Sequence, residues 1–132
     1  MSFLLDTNIC SAHMLRPGGV AHRFIQYGGR LNISSIVLGE LYAGAYMMGN
    51  PTGLLALIAD LLQAVKVLPF DDHCALEFGK LRGELHGRGI KVSPLDLQIA
   101  AVANVHALTL VTNNIKDFQH IPRLQLEDWL TP

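Results

Sequence analysis

The sequence predicts an α/β fold built on a central parallel sheet. Two patterns and one bulk property carry that expectation. Phe3-Leu4-Leu5, Leu31 to Ile33 and Leu108 to Thr112 are short, mostly apolar runs, which suit the strands of a covered parallel sheet. Between them lie longer segments that open on capping residues and close on glycine or proline, so strands and helices alternate. The chain has 132 residues, of which 50% are hydrophobic and 16% charged. That length fits one domain over residues 1–132, with a core large enough to need neither disulfide nor metal merely to fold.

The elements follow in order. Phe3-Leu4-Leu5 reads as a buried strand, and Asp6-Thr7-Asn8 supplies three capping residue types for a helix to about Leu15. Arg16-Pro17-Gly18-Gly19 stops it, and a second helix covers Val20 to Tyr27 before Gly28-Gly29. Leu31 to Ile33 is the second strand. Ser34 or Ser35 caps a helix through Met48, closed by Gly49-Asn50-Pro51. Gly53 to Val65 is more apolar than a one-faced helix requires, which predicts a deep core position or a subunit interface. Val67-Leu68 is a short strand. Asp71 caps a helix with Cys74, Phe78, Leu81 and Leu85 on one stripe, and Glu84 can pair with Lys80 or Arg88 at helical spacing. Ser93-Pro94 opens a helix to about His106, with proline at its favoured first position. Leu108 to Thr112 and Leu124 to Leu126 complete the strands.

Ten Lys and Arg against 11 Asp and Glu give a net charge of −1. This excludes a wholly basic, polyanion-coating protein and leaves nucleic acid only a local basic rim or a bound cation. Cys10 and Cys74 form no metal-ligand spacing or disulfide framework, as expected of a reducing compartment. The N-terminal stretch lacks the basic start of a signal peptide. No segment reaches the ~18 apolar residues of a membrane span. A soluble protein of a reducing cytoplasm is expected.

In a parallel sheet, ligands sit beyond the carboxyl ends of strands. The polar residues there are Asp6, Ser34/Ser35 with Glu40 a turn or so into the next helix, and Thr112-Asn113-Asn114. Asp96, in Ser93-x-x-Asp96 at the start of the apolar PLDLQIAAVA helix, and Asp117, in Asn114-x-x-Asp117, join them. Each acid alone has a plain structural role, as cap, capping box or solvated helix residue. Together, four carboxylates converging on one edge would repel unless a cation neutralised them. Oxygen ligands without paired Cys or His favour Mg²⁺ or Mn²⁺ over zinc. A hydrated divalent ion in an acidic cleft is suited to phosphodiester cleavage. The six histidines show no paired ligand spacing. Asp71-Asp72 reads as a capping pair, and the Glu127-Asp128-Trp129 tail as a packed indole with solvated acids. Arg82, Arg88, Lys91 and Lys116 read as a solvated face or a basic rim.

LLDTNIC, SSIVLGELYAG, SPLDLQIAA and LVTNNIKDF, in that order and spacing, resemble the PIN-domain ribonucleases, and within them the VapC toxins of bacterial toxin–antitoxin pairs. The resemblance spans essentially the whole chain, VLPFDD and the closing LEDW included. It implies a three-layer sandwich with a parallel sheet of about four to five strands, and a Mg²⁺-dependent endoribonuclease acting on structured RNA, with tRNA the expected class. It further implies a homodimer, and a toxin–antitoxin hetero-oligomer with a VapB-like antitoxin that alone would contact DNA. By motif, Asp6 and Asp96 are expected as direct metal ligands. Glu40 is expected to complete the metal site and help orient or deprotonate water, and Asp117 to support the metal or its waters. Many PIN domains carry aspartate where this chain has Asn114. An amide keeps a carbonyl oxygen but removes one charge, which favours one metal over two. The resemblance therefore leaves a second expectation, a weakened PIN domain that binds RNA or protein. A haloacid-dehalogenase-type phosphohydrolase would need an acid where Asn8 stands. With four acids assigned to one pocket, the remaining seven face ten Lys and Arg, a mildly basic shell.

Overall fold

The computed structural model describes residues 1–16 and 18–131; Pro17, part of the expected helix stop, and Pro132 lie outside the described residues. The elements are β1 (Phe3–Leu5), α1 (Thr7–Leu15), α2 (Ala21–Gln26), β2 (Leu31–Ser34), α3 (Ser35–Tyr46) and α4 (Thr52–Ala64). They continue as β3 (Lys66–Leu68), α5 (Asp72–Gly87), α6 (Pro94–Val105), β4 (Thr109–Val111), α7 (Ile115–Phe118) and β5 (Gln125–Glu127). The five strands form one parallel sheet in the order β3-β2-β1-β4-β5, flanked by helices. The expected α/β class holds.

β1 is central because its three residues are all fully buried. Covering such side chains stabilises the fold by about 1.5–3 kcal/mol each. Leu5 pairs with Val111 and Ser34 with Leu68, so the polar residues that follow these strands emerge at one edge. The chain runs from β1 outward through β2 to β3, then returns to place β4 on the other side of β1. That reversal opens a crevice between β1 and β4, where parallel α/β sheets bind ligands. The apolar run of α6 packs on α5, with Leu97 and Ile99 through Ala103 buried.

Three local expectations are corrected, and one element was not anticipated. Glu84 pairs with Arg123 at 3.0 Å rather than with Lys80 or Arg88. A planar guanidinium approaching from the β4–β5 connection offers two donors, while same-helix partners remain solvated. α4 is not a deep core helix: Ile58 and Leu61 are buried, but Leu54, Leu55, Leu57 and Leu62 are half-buried. Glu127 is not simply solvated, since its carboxylate accepts from the indole N–H of the buried Trp129 at 3.0 Å. α7 went unpredicted because four residues are too few for a helical period to register. Among the described residues, no helix is long and apolar enough to cross a membrane.

Candidate active site

The site is built from the ends of β1, β2 and β4 and the helices they feed. Asp6 caps α1, its Oδ1 accepting from Thr7 N–H at 2.8 Å. Its Oδ2 accepts from the Thr112 hydroxyl, at the end of β4, at 2.7 Å. The carboxylate is thus anchored across the β1–β4 crevice while only 5% exposed. Burial holds its carboxyl above the ordinary range, opposed by the Thr112 and Thr7 hydrogen bonds and reinforced by the charge of Asp117.

Thr7 also carries the wiring to α3. Its hydroxyl donates to Glu40 Oε1 at 2.8 Å. The local reason Glu40 arrives there is Ser34, which caps α3 by accepting from Val37 N–H at 3.1 Å, so β2 passes into the helix without a loop. Asn8 stitches the crevice from a third direction. Its amide nitrogen approaches Thr112 Oγ1 at 3.4 Å, and its oxygen accepts from Asn113 N–H at 3.1 Å. Thr112 Oγ1 in turn accepts from Asn114 N–H at 3.1 Å.

Asp96 occupies the third position of α6. Ser93 caps this helix, accepting from Asp96 N–H at 3.2 Å, so half of the expected capping box is present. Burial raises the Asp96 carboxyl, the neighbouring Ser93 hydroxyl opposes that, and the charges of Asp6, Asp117 and Glu40 raise it further. Asp117 on α7 is exposed, and its N–H bonds to the Asn114 carbonyl at 3.0 Å. Asn114 is also exposed and makes no side-chain cap. Asp96 and Asp117 line a groove of about 330 Å³ with Lys91, Lys116 and His120. Asp117 and Asn114 line a neighbouring one with Asp128.

The four acids therefore share one electrostatic neighbourhood, yet they are not a closed cage. Among the described residues, no three carboxylate, imidazole or thiol groups are close enough to hold a metal as they stand. The donor set nevertheless suits a hard divalent cation. It is all oxygen, two members are pushed toward protonation by burial and by neighbouring acids, and no Lys or Arg lies within 4 Å of any of the four among the described residues. Reading the residues one by one missed Thr7, Asn8 and Thr112 as the bracing set. They are ordinary capping and strand-end residues, and only their run directly behind two adjacent strands hinted at it.

Comparison with known proteins agrees with this architecture. The PIN domain profile matches residues 3–124. The tRNA(fMet)-specific endonuclease VapC of Salmonella typhimurium is 37% identical over 130 residues, covering 98% of each chain. Ribonuclease VapC2 of Haemophilus influenzae is 34% identical, covering 98% of this chain and 99% of its own. The crystal structure of DNA-bound VapBC from Salmonella typhimurium superposes with a TM-score of 0.92 at 37% identity over 98% of both chains. A polar-edged crevice between β1 and β4, four carboxylates around it and similarity over the full length place this chain in the PIN-domain family, among the VapC ribonucleases.

Proposed function

We propose that this chain, a single PIN domain over residues 1–132, is a metal-dependent endoribonuclease toxin that hydrolyses structured RNA. The observation that carries the reading is the convergence of Asp6, Glu40, Asp96 and Asp117 at the crevice without a compensating cation within 4 Å among the described residues. Asp6 and Asp96 would hold Mg²⁺ directly, with Mn²⁺ able to substitute, and Glu40 would complete the site. Such an ion supplies charge neutralisation at the phosphate and a more acidic water. The protein's own groups do the positioning. Thr7 and Thr112 hold the Asp6 carboxylate in one orientation, and Thr7 fixes Glu40 through Oε1, leaving Oε2 to accept a proton from the attacking water. Asn114 presents an uncharged carbonyl oxygen and Asp117 an outer carboxylate. The water oxygen bonds to phosphorus as the bond to the 3′ oxygen breaks, and that oxygen takes a proton from solvent, leaving 3′-hydroxyl and 5′-phosphate ends.

The Salmonella relative, named as tRNA(fMet)-specific, supports tRNA as the substrate class. The DNA-bound VapBC neighbour supports a VapB-like antitoxin partner, with any DNA contact made through that partner. A homodimer and a toxin–antitoxin hetero-oligomer in the bacterial cytoplasm complete the proposal. The test is incubation of the purified chain with a tRNA panel and Mg²⁺ or Mn²⁺, followed by sequencing of the fragment ends. Discrete cleavage that chelation stops is expected; intact RNA under every metal condition removes the reading. Asn114 favours the second reading, a weakened PIN domain that binds RNA or protein. Absence of Mn²⁺ binding at millimolar concentration would select it.

A further inference from the structure

The charges around the carboxylates are distributed unevenly. Residues 31–65, which include α3 and α4, contain Glu40 and Asp60 but no Lys, Arg or His. Six of the ten Lys and Arg lie between Lys80 and Arg123. Arg123 is engaged by Glu84 and Glu77, and Arg88 lies in the field of Glu84. Lys80, Arg82, Lys91 and Lys116 are exposed, and among the described residues no carboxylate approaches their nitrogens within 4 Å. Arg82, Lys91 and Lys116 also line grooves.

These three cations line two adjoining grooves. A groove of about 260 Å³ holds Arg82, His86 and Lys91 over an apolar floor that includes Leu85 and Leu97. It shares Ile90, Lys91 and Val92 with the groove that contains Asp96, Asp117, Lys116 and His120. The two grooves together run from the C-terminal half of α5, across the α5–α6 connection, to Asp96 and Asp117. Unpaired cations spaced along a channel with an apolar base suit a polyanion that also carries flat, weakly polar groups, which describes an RNA strand.

We propose that Arg82, Lys91 and Lys116 form a phosphate track that holds the RNA backbone on the α5–α6 side of the carboxylate site, while α4, which carries no cation, stays outside the RNA footprint. The track rests on the nuclease reading for the identity of its polyanion. It answers a physical difficulty of that reading: four carboxylates repel the phosphate they must receive, and cations beside Asp96 and Asp117 offset that repulsion before cleavage. Its residues position substrate and take no part in bond breaking.

The test uses the full chain, a labelled single-stranded RNA and a tRNA. Binding is followed by fluorescence anisotropy in chelator between about 50 and 200 mM salt, and cleavage by steady-state kinetics with Mn²⁺. Each phosphate contact contributes roughly 0.7 to the log–log salt slope for a single strand, so the Arg82→Ala/Lys91→Ala/Lys116→Ala variant should lose about two from it. Each single substitution should raise KM by roughly 3- to 10-fold while kcat falls less than about twofold. Lys66→Ala, on β3 and away from both grooves, should change neither. An unchanged slope and KM in the triple variant overturn the track and leave the groove to a protein partner, with the nuclease reading intact. Track-dependent RNA binding by a chain that cuts nothing supports the track and removes the nuclease reading. Circular dichroism checks the fold, and the single variants, each at an exposed side chain, carry the same test should the triple variant unfold.

Discussion

The two walls of the crevice hold their carboxylates in opposite ways. On the β1–α3 wall, Asp6 is buried and bonded through both oxygens, and Glu40 is tied to it through Thr7. On the α6–α7 wall, Asp96 is half-buried, Asp117 is exposed, and Lys91 and Lys116 line the same groove. One wall is braced by hydrogen bonds, because Asp6 sits where β1 ends and α1 begins and Glu40 is held from α3 by Thr7. The other sits on helix starts that face solvent, and its two carboxylates lack such braces from other elements. The two walls therefore differ in how firmly they hold their acids.

The largest expected effect tests the solvent-facing wall. Asp96→Asn should lower RNA cleavage on the order of 100-fold or more, since even the outer partners of metal ligands cost 10- to 100-fold. The same variant should not weaken the metal-free fold. The Asp96 carboxyl is raised by burial and by neighbouring acids, so its ionised form is unfavourable in the folded state. That penalty is present above the raised pKa and is relieved as pH falls through it. In chelator at neutral pH, Asp96→Asn should therefore melt at or above the wild-type temperature, and the gap should close on acidification. A variant that melts well below wild type would show Asp96 to be a structural cap rather than a strained ligand.

A smaller effect tests the braced wall. Thr7→Val removes the hydroxyl that donates to Glu40 while leaving the backbone N–H that binds Asp6. Cleavage should fall roughly 10-fold, with kcat rather than KM carrying the change. Equal activity would mean that Glu40 needs no brace, and the contrast between the walls would weaken. The smallest effect compares the two serine caps. Ser34 is fully buried and Ser93 exposed. Ser34→Ala should cost about 1–2 kcal/mol in urea denaturation and Ser93→Ala about 0.5 kcal/mol, the span found for helix caps. Equal costs would contradict a difference in rigidity.

Much of the fold was legible because its signals are local. Asp6, Ser34, Asp71 and Ser93 mark helix starts, and each cap accepts a backbone N–H as its residue type predicts. The apolar runs gave the strands within a residue or two at their ends. The candidate site was legible only as a list of acids behind strands. Their shared field depends on which strands are neighbours, and the pairing of β1 with β4 joins residues more than a hundred positions apart. Glu84 shows the same limit. Its helical neighbours suggested Lys80 or Arg88, but Arg123 reaches it from another element with a better donor geometry.

By itself the sequence determined the alternation of strands and helices, the caps and the excess of acid at the strand ends, since these follow from residue type and spacing over a few positions. Tertiary structure alone decided the strand order, the bracing of Asp6 by Thr112 and of Glu40 by Thr7, and the meeting of two grooves at Lys91. The physical reason is range. Propensity and capping act within a turn of helix, whereas pairing between parallel strands and the summing of charges act between segments that only the folded chain brings together.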